Sequence, residues 1–292
     1  MLIDLHTHSR ASDGTQSPGD VVALAHQVGL DVLGLTDHDS AAGWGEAAAK
    51  ARDVGIMLVL GMEISTRHQG AGVHLLAYLP DPDDPALAAE LGLILEGRAG
   101  RLQAMIGRLR EAGLDISVAE VLRQVGEAPA IGRPHVADVL VRKGYAVDRG
   151  DAFARWLNSG TAGYVSRYAT TTRAMIRIVT AAGGAAVIAH PWGRGSRDVV
   201  DLETLALFQD DGLVGIEVDH QDHNAADRRE LQRIAADLGL VQTGSSDFHG
   251  AGKVDHELGC NVTDPEQFDR LLEVAARNAA ASGRLVPEIV RA

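Results

Sequence analysis

Six short stretches hold residues that could do chemistry together. IDLHTHSRASDG (3–14) places His6 and His8 one residue apart, with Asp13 close behind. TDHD (36–39) holds Asp37 and His38, GMEIS (61–65) holds Glu63, and VHLLAY (73–78) holds His74. AHP (189–191) and GSSDFHG (244–250) add His190, Asp247 and His249. Neutral imidazoles and carboxylates without thiolates are ligands for Zn²⁺, Mn²⁺ or Fe²⁺. Any one of these motifs alone is weak, because alternate strand residues face one side and can simply be polar surface. Six histidines and three carboxylates gathered without a metal would leave a large desolvation cost unmatched. Nine ligands are too many for one ion; they suit two or three, with a carboxylate such as Glu63 bridging.

The elements that must position them alternate. Strand-like runs Leu2–Leu5, Val32–Leu35, Met57–Leu60, Val73–Leu79, Ala185–Ala189, Leu213–Val218 and Leu240–Thr243 alternate with helix-like stretches over most of the chain. Ser17-Pro18 reads as the cap and first position of a helix. Such alternation predicts a mostly parallel sheet covered by helices, a barrel or a doubly wound sheet. In a barrel the carboxyl ends of the strands meet at one face, which would bring all nine residues together. Residues 81–166 interrupt the rhythm with helical patterns only, including GRAGRLQAMIGRLREAG (97–113). They are expected to form a helical insertion over the mouth of a barrel made by 1–80 and 167–292.

The 292-residue chain suffices for one large α/β domain or two small ones. A formal charge of -13 argues against non-specific nucleic-acid binding, so an anionic ligand needs a local basic patch. The single cysteine, Cys260, excludes an internal disulfide. No leader or membrane-length apolar run is seen, so the expectation is a soluble cytoplasmic protein with no membrane partner.

As a set, the motifs HTHSRASDG, TDHD, GMEI, VHLLAY, AHP and GSSDFHG resemble the PHP (polymerase and histidinol phosphatase) family from Ile3 to about Gly259. The branch they look closest to acts on nucleoside 3′,5′-bisphosphates and is related to enzymes that trim short RNA from the 5′ end. The resemblance implies a distorted seven-stranded (βα) barrel and a trinuclear site, with Mn²⁺ favoured over Fe²⁺ or Zn²⁺. His6, His8, Glu63 and Asp247 would hold one metal. Glu63 would bridge to a second held by His74 and His190. Asp13, His38 and His249 would hold the third and also contact substrate. Two such metals can deliver hydroxide at neutral pH, and open metal positions can hold phosphate in line with it. No general acid is identified among the residues.

A second phosphate would need guanidinium forks. Arg98 and Arg101 share a face of the predicted helix, and IGRPH (131–135) places Arg133 and His135 around a proline turn. The resemblance favours these four, whereas Arg108 and Arg110 read as solvated. The implied partner is a small anionic nucleotide or a short oligoribonucleotide, with no stable nucleic-acid complex. EVDHQDH lacks an aromatic residue expected after EV, and HPWGRG departs from the usual His-Pro-Gly-Arg order around Arg194. Histidinol phosphate and other small phosphomonoesters are alternative substrates. An amidohydrolase acting on C–N bonds would more typically bridge metals with a carboxylated lysine. Lys50, Lys143 and Lys253 are not at strand ends, and Glu63 stands in the bridging place. A non-catalytic metal-binding module would have lost ligands, and none is lost here.

Overall fold

The computed structural model describes residues 1–285 and 289–291, apart from the Arg194 side chain. Its elements are β1 (Ile3–Thr7), α1 (Pro18–Gln27), β2 (Val32–Leu35), α2 (Trp44–Val54), β3 (Met57–His68) and β4 (Ala71–Tyr78). The helical stretch follows as α3 (Pro85–Glu111), α4 (Val118–Val125), α5 (Arg133–Arg142) and α6 (Arg149–Ala152), the last running into a π-helical turn, Phe153–Leu157. The chain then returns through β5 (Thr170–Thr171), α7 (Thr172–Ala181), β6 (Ala185–Ile188), α8 (Leu202–Asp210), β7 (Leu213–Asp219), α9 (Ala225–Leu238), β8 (Val241–Gly244) and α10 (Pro265–Ala281). Among the described residues no helix is long and apolar enough to cross a membrane.

Seven strands follow the path β1-β2-β3-β4-β6-β7-β8, and β5 pairs with β3 off that path. The sheet curls until its edges meet. Thr7 bridges Phe248 in parallel, and the His8 N–H donates to the Phe248 carbonyl at 2.8 Å. This is the distorted seven-stranded α/β barrel expected from the motifs, with two differences. First, β3 and β4 form an antiparallel hairpin, and β4 is also antiparallel to β6. The turn is Gln69-Gly70, with φ of 46° and 85°, the doubly left-handed pair that matches strand twist in a two-residue loop. Second, β5 is only two residues long, too short to show any alternation.

Helix starts follow local chemistry. The Ser17 hydroxyl accepts from the Asp20 N–H ahead of Pro18, and the Asp84 carboxylate accepts from the N–H groups of Ala86 and Leu87 ahead of Pro85. Each satisfies donors that the first helical turn leaves open. One apolar cluster joins Ile64, Leu75, Ile188 and Ile216 of the sheet to Val179, Phe208 and Leu231 of the covering helices. Another is confined to 102–157, where Leu109, Val121, Val136, Leu140 and Leu157 pack together. The 27-residue helix α3 belongs to both: Leu87, Leu91 and Ile94 join the sheet cluster, whereas Leu102, Met105 and Leu109 join the other. Arg98 and Arg101 lie at that crossover.

Candidate metal centre and its arginine flank

The hairpin explains how His74 joins the other candidates. Because β4 runs against its neighbours, its beginning lies at the rim where the parallel strands end. Glu63 is reached in the same way: β3 continues past the end of β2, and His38 bridges Glu63 there. Gly14 lets the first loop fold back tightly, since a Cβ there would stand 2.6 Å from the His8 carbonyl oxygen. Asp39, His190 and Asp247 have left-handed backbone, with φ of 53°, 28° and 52°. All three stand on this rim, where strain is held by the packing around it.

All nine candidate residues are brought into one basin, and all but the half-buried His74 are buried. His8, Asp13, His38 and His249 offer ligand atoms within 4.8 Å of one another; so do His6, His8, Glu63 and Asp247, and so do His38, Glu63 and His74. The two oxygens of Glu63 divide the basin. Oε1 lies 2.6 Å from His74 Nδ1 and 3.0 Å from His190 Nε2. Oε2 lies 3.4 Å from His6 Nε2, 3.2 Å from His8 Nε2 and 3.1 Å from His38 Nδ1, with no hydrogen-bond partner although it is buried. Asp13 reaches His249 Nε2 at 3.3 Å and His38 Nε2 at 3.7 Å. A buried carboxylate oxygen without a hydrogen bond, surrounded by imidazole nitrogens, fits divalent cations.

Charge in the basin is divided unevenly. Burial works against ionisation of Glu63, Asp13 and Asp247, yet nearby imidazoles, and for Asp247 also the Lys253 ammonium, hold all three carboxyls well below their usual range. Burial also opposes a charged His8, but the neighbouring carboxylates of Asp247 and Glu63 raise it to about 9. Burial pushes His38 down to about 3 and His249 to about 4.

Several residues beyond the nine line or back the basin. Glu217 of β7 is buried, with Oε1 3.2 Å from His6 Nδ1. Its one signal in sequence was a charged residue inside an otherwise apolar strand run. His220 is buried, with Nε2 3.3 Å from Asp247 Oδ2, and Lys253 contacts the same oxygen. His220, Asp247 and His256 make a further group of possible ligands. Lys253, though outside any strand end, therefore does reach the site. His223 is structural: the Trp192 N–H donates to its Nε2, and its Nδ1 lies 2.9 Å from the Val218 carbonyl oxygen. Asp37 is a brace, accepting from the Ser9 backbone and from the hydroxyls of Ser9 and Ser12. The Arg194 side chain lies outside the described residues.

The helical stretch is fastened to the rim by three struts. Arg98 Nε donates to Asp39 Oδ2 at 2.6 Å and its Nη2 to the Ser65 hydroxyl. His135 Nε2 lies 2.9 Å from the Ser12 carbonyl oxygen, and Arg149 donates to the Asp13 carbonyl at 3.1 Å while paired with Asp138. Arg133 donates to the Leu157 carbonyl and sits over the Phe153 ring. Arg101 is nine-tenths buried, and its Nε has no hydrogen-bond partner. Burial and the nearby guanidinium groups of Arg167, Arg98 and Arg133 push it down to about 8. Because a guanidinium keeps its proton well above that, Arg101 holds an uncompensated charge that a bound anion would relieve. Arg167 joins this cluster from irregular chain, where no periodic pattern marked it; burial and then Arg98 push it down to about 10. Arg108 and Arg110 are exposed, as expected.

Residues 4–115 match the family described as PHP domain. A Chromobacterium violaceum protein named 3′,5′-nucleoside bisphosphate phosphatase is 38% identical over 88% of this chain and 90% of its own. A Haemophilus influenzae protein named 5′-3′ exoribonuclease is 35% identical over 84% of this chain and 89% of its own. A solved structure from Bifidobacterium adolescentis, described as a metal-dependent phosphoesterase, superposes with a TM-score of 0.89 at 35% identity, covering 93% of this chain and 96% of that one. Whole-length relatives at this identity, together with the strand-end basin, place the chain in the PHP family.

Proposed function

We propose that the protein is a metal-dependent phosphoesterase that removes the 3′-phosphate from nucleoside 3′,5′-bisphosphates, leaving a 5′-monophosphate. One observation carries this reading: an imidazole–carboxylate basin is strutted to a cluster of guanidinium groups in which Arg101 Nε is buried without a partner. A cation-holding site and an anion-holding site side by side suit a substrate with two phosphates, one cut and one kept.

In this reading His6, His8, Glu63 and Asp247 hold a first divalent ion, and Glu63 shares a second with His74 and His190. Asp13, His38 and His249 hold a third and face the substrate. Mn²⁺ is the preferred ion, with Fe²⁺ or Zn²⁺ as alternatives. Bound there, such ions supply Lewis acidity and a hydroxide nucleophile at neutral pH. The chain's own share is positioning and charge. Arg101, Arg133 and Arg167 hold the remaining phosphate, with Arg98 and His135 keeping the helices against the rim. Residues 81–166 act as the recognition part, and short oligoribonucleotides would enter by the same 5′-phosphate. The reaction fits a soluble, cytoplasmic location.

The deciding experiment is a hydrolysis screen with added Mn²⁺, Fe²⁺ or Zn²⁺. It compares a nucleoside 3′,5′-bisphosphate, the two monophosphates, 5′-phosphorylated di- and trinucleotides, histidinol phosphate and a cyclic amide. Highest kcat/KM for the bisphosphate is expected. A preference for histidinol phosphate or the amide would replace this reading, and no turnover of any would return the protein to a metal-binding module.

A further inference from the structure

Glu217 stands one layer behind the basin. It is fully buried in β7 and outside the donor groups, yet it touches three of the segments that carry them. Its Oε1 faces His6 Nδ1 at 3.2 Å and accepts from the Ser245 hydroxyl, two residues before Asp247. Its Oε2 accepts from the His190 backbone N–H at 2.8 Å. An ionised carboxylate only accepts hydrogen bonds, so the His6 nitrogen facing it carries the proton. That leaves Nε2, 3.0 Å from His8 Nε2, 3.4 Å from Glu63 Oε2 and 3.5 Å from Asp247 Oδ1, as the unprotonated nitrogen that faces the other candidate ligands.

We propose that Glu217 is a positioning residue of the basin, fixing the tautomer and ring orientation of His6 while tying the ends of β1, β6 and β8 to one buried charge. This rests on the metal sites of the proposed function. A carboxylate behind a ligating imidazole raises the basicity of the ligand, and losing such a partner typically weakens metal affinity by about 10–100-fold. The contact to the His190 N–H extends the role: it holds the left-handed backbone at a second ligand.

The test uses wild type and Glu217→Gln, which keeps the volume and removes the charge. Each is loaded with Zn²⁺ and titrated with a chromophoric chelator. The equivalents that His6 and His190 help to hold should leave the variant at about 10–100-fold lower chelator strength, with the third held as in wild type. Unchanged release of every equivalent would overturn the role of Glu217. So would equal weakening of all equivalents with a lowered Tm of the chelator-stripped protein, since that marks a general brace. A separate measurement does not depend on the variant folding. ¹⁵N-histidine NMR of Zn²⁺-loaded wild type should show His6 with its proton on Nδ1; a proton on Nε2 overturns the assignment. Wild type that holds no metal would sink the metal reading itself, an outcome distinct from failure of Glu217 alone.

Discussion

The basin at the strand ends and the arginine cluster beside it are both buried charge, but of opposite kinds. In the basin the charge is adjustable. Burial and neighbouring carboxylates act unequally on the imidazoles, so His8 is raised to about 9 while His38 falls to about 3 in the same basin. In the cluster the charge is fixed, because guanidinium groups do not give up their protons. Imidazoles and carboxylates can change their charge by taking up or losing protons. The cluster cannot, and so Asp39 neutralises part of it while Arg101 stays uncompensated. The difference suggests how the two regions divide the labour: adjustable groups where charge must develop, fixed groups where a charge must only be held.

The largest test of this division is Glu63→Gln. If its two oxygens serve two ions, metal analysis should show two equivalents lost together, and kcat should fall by about 10²–10³-fold or more. Loss of a single equivalent would break the bridging assignment. Next comes Arg98→Met, which leaves Asp39 buried without its cation. Breaking such a pair costs about 3–5 kcal/mol, read as a lower denaturant midpoint with unchanged slope. An unaltered midpoint would mean that this strut contributes nothing to stability. Arg133→Ala addresses the held phosphate: about 10–100-fold lower kcat/KM on the bisphosphate, with little change on a nucleoside 3′-monophosphate. Equal losses on both substrates would move Arg133 to the reacting phosphate or to the fold.

The smallest effect is on pH. In chelator-stripped protein the raised His8 contributes stability fully below its unfolded value of 6.5, and loses it as pH rises through about 9. His38 and His249, held neutral, contribute above 6.5, and lose it as pH falls towards 4 and 3. Tm scanned from pH 5 to 9.5 should therefore peak near 6.5. Mutating Arg101 to Met should not move that peak, because the cluster does not titrate there. A peak that moves with Arg101 would erase the contrast between the two regions.

Much of the basin was legible because its residues sit at element ends, where apolar runs stop abruptly at histidine or acid. The strands themselves were legible up to those points. Past them, β3 reads as GMEISTRH, polar enough to hide that the strand continues to His68, and with it the antiparallel return through Gln69-Gly70. Arg98 and Arg101 could be found by helical spacing, but spacing shows neither the contact of Arg98 to Asp39 nor the unpartnered Nε of Arg101. Arg167 lay in irregular chain with no period at all. Glu217 was visible as an acid in the apolar run GIEVD, yet its partner, His6, lies 211 residues away. Contacts over such separations are set by the closing of the barrel, and no local pattern carries them.

The left-handed backbone at Asp39, His190 and Asp247 sets selection for thermal endurance against selection for turnover. Glycine would adopt these conformations without the order of 1–3 kcal/mol that such residues cost. A library screened only for survival of heating, in chelator, should therefore favour glycine at 190 more than at 247, where loss of the Asp247 contacts to Lys253 and His220 offsets the relief. Those winners would be hardier proteins with a poorer grip on metal. The same library screened for phosphate release should reject them, so the two lists of survivors should diverge at these positions.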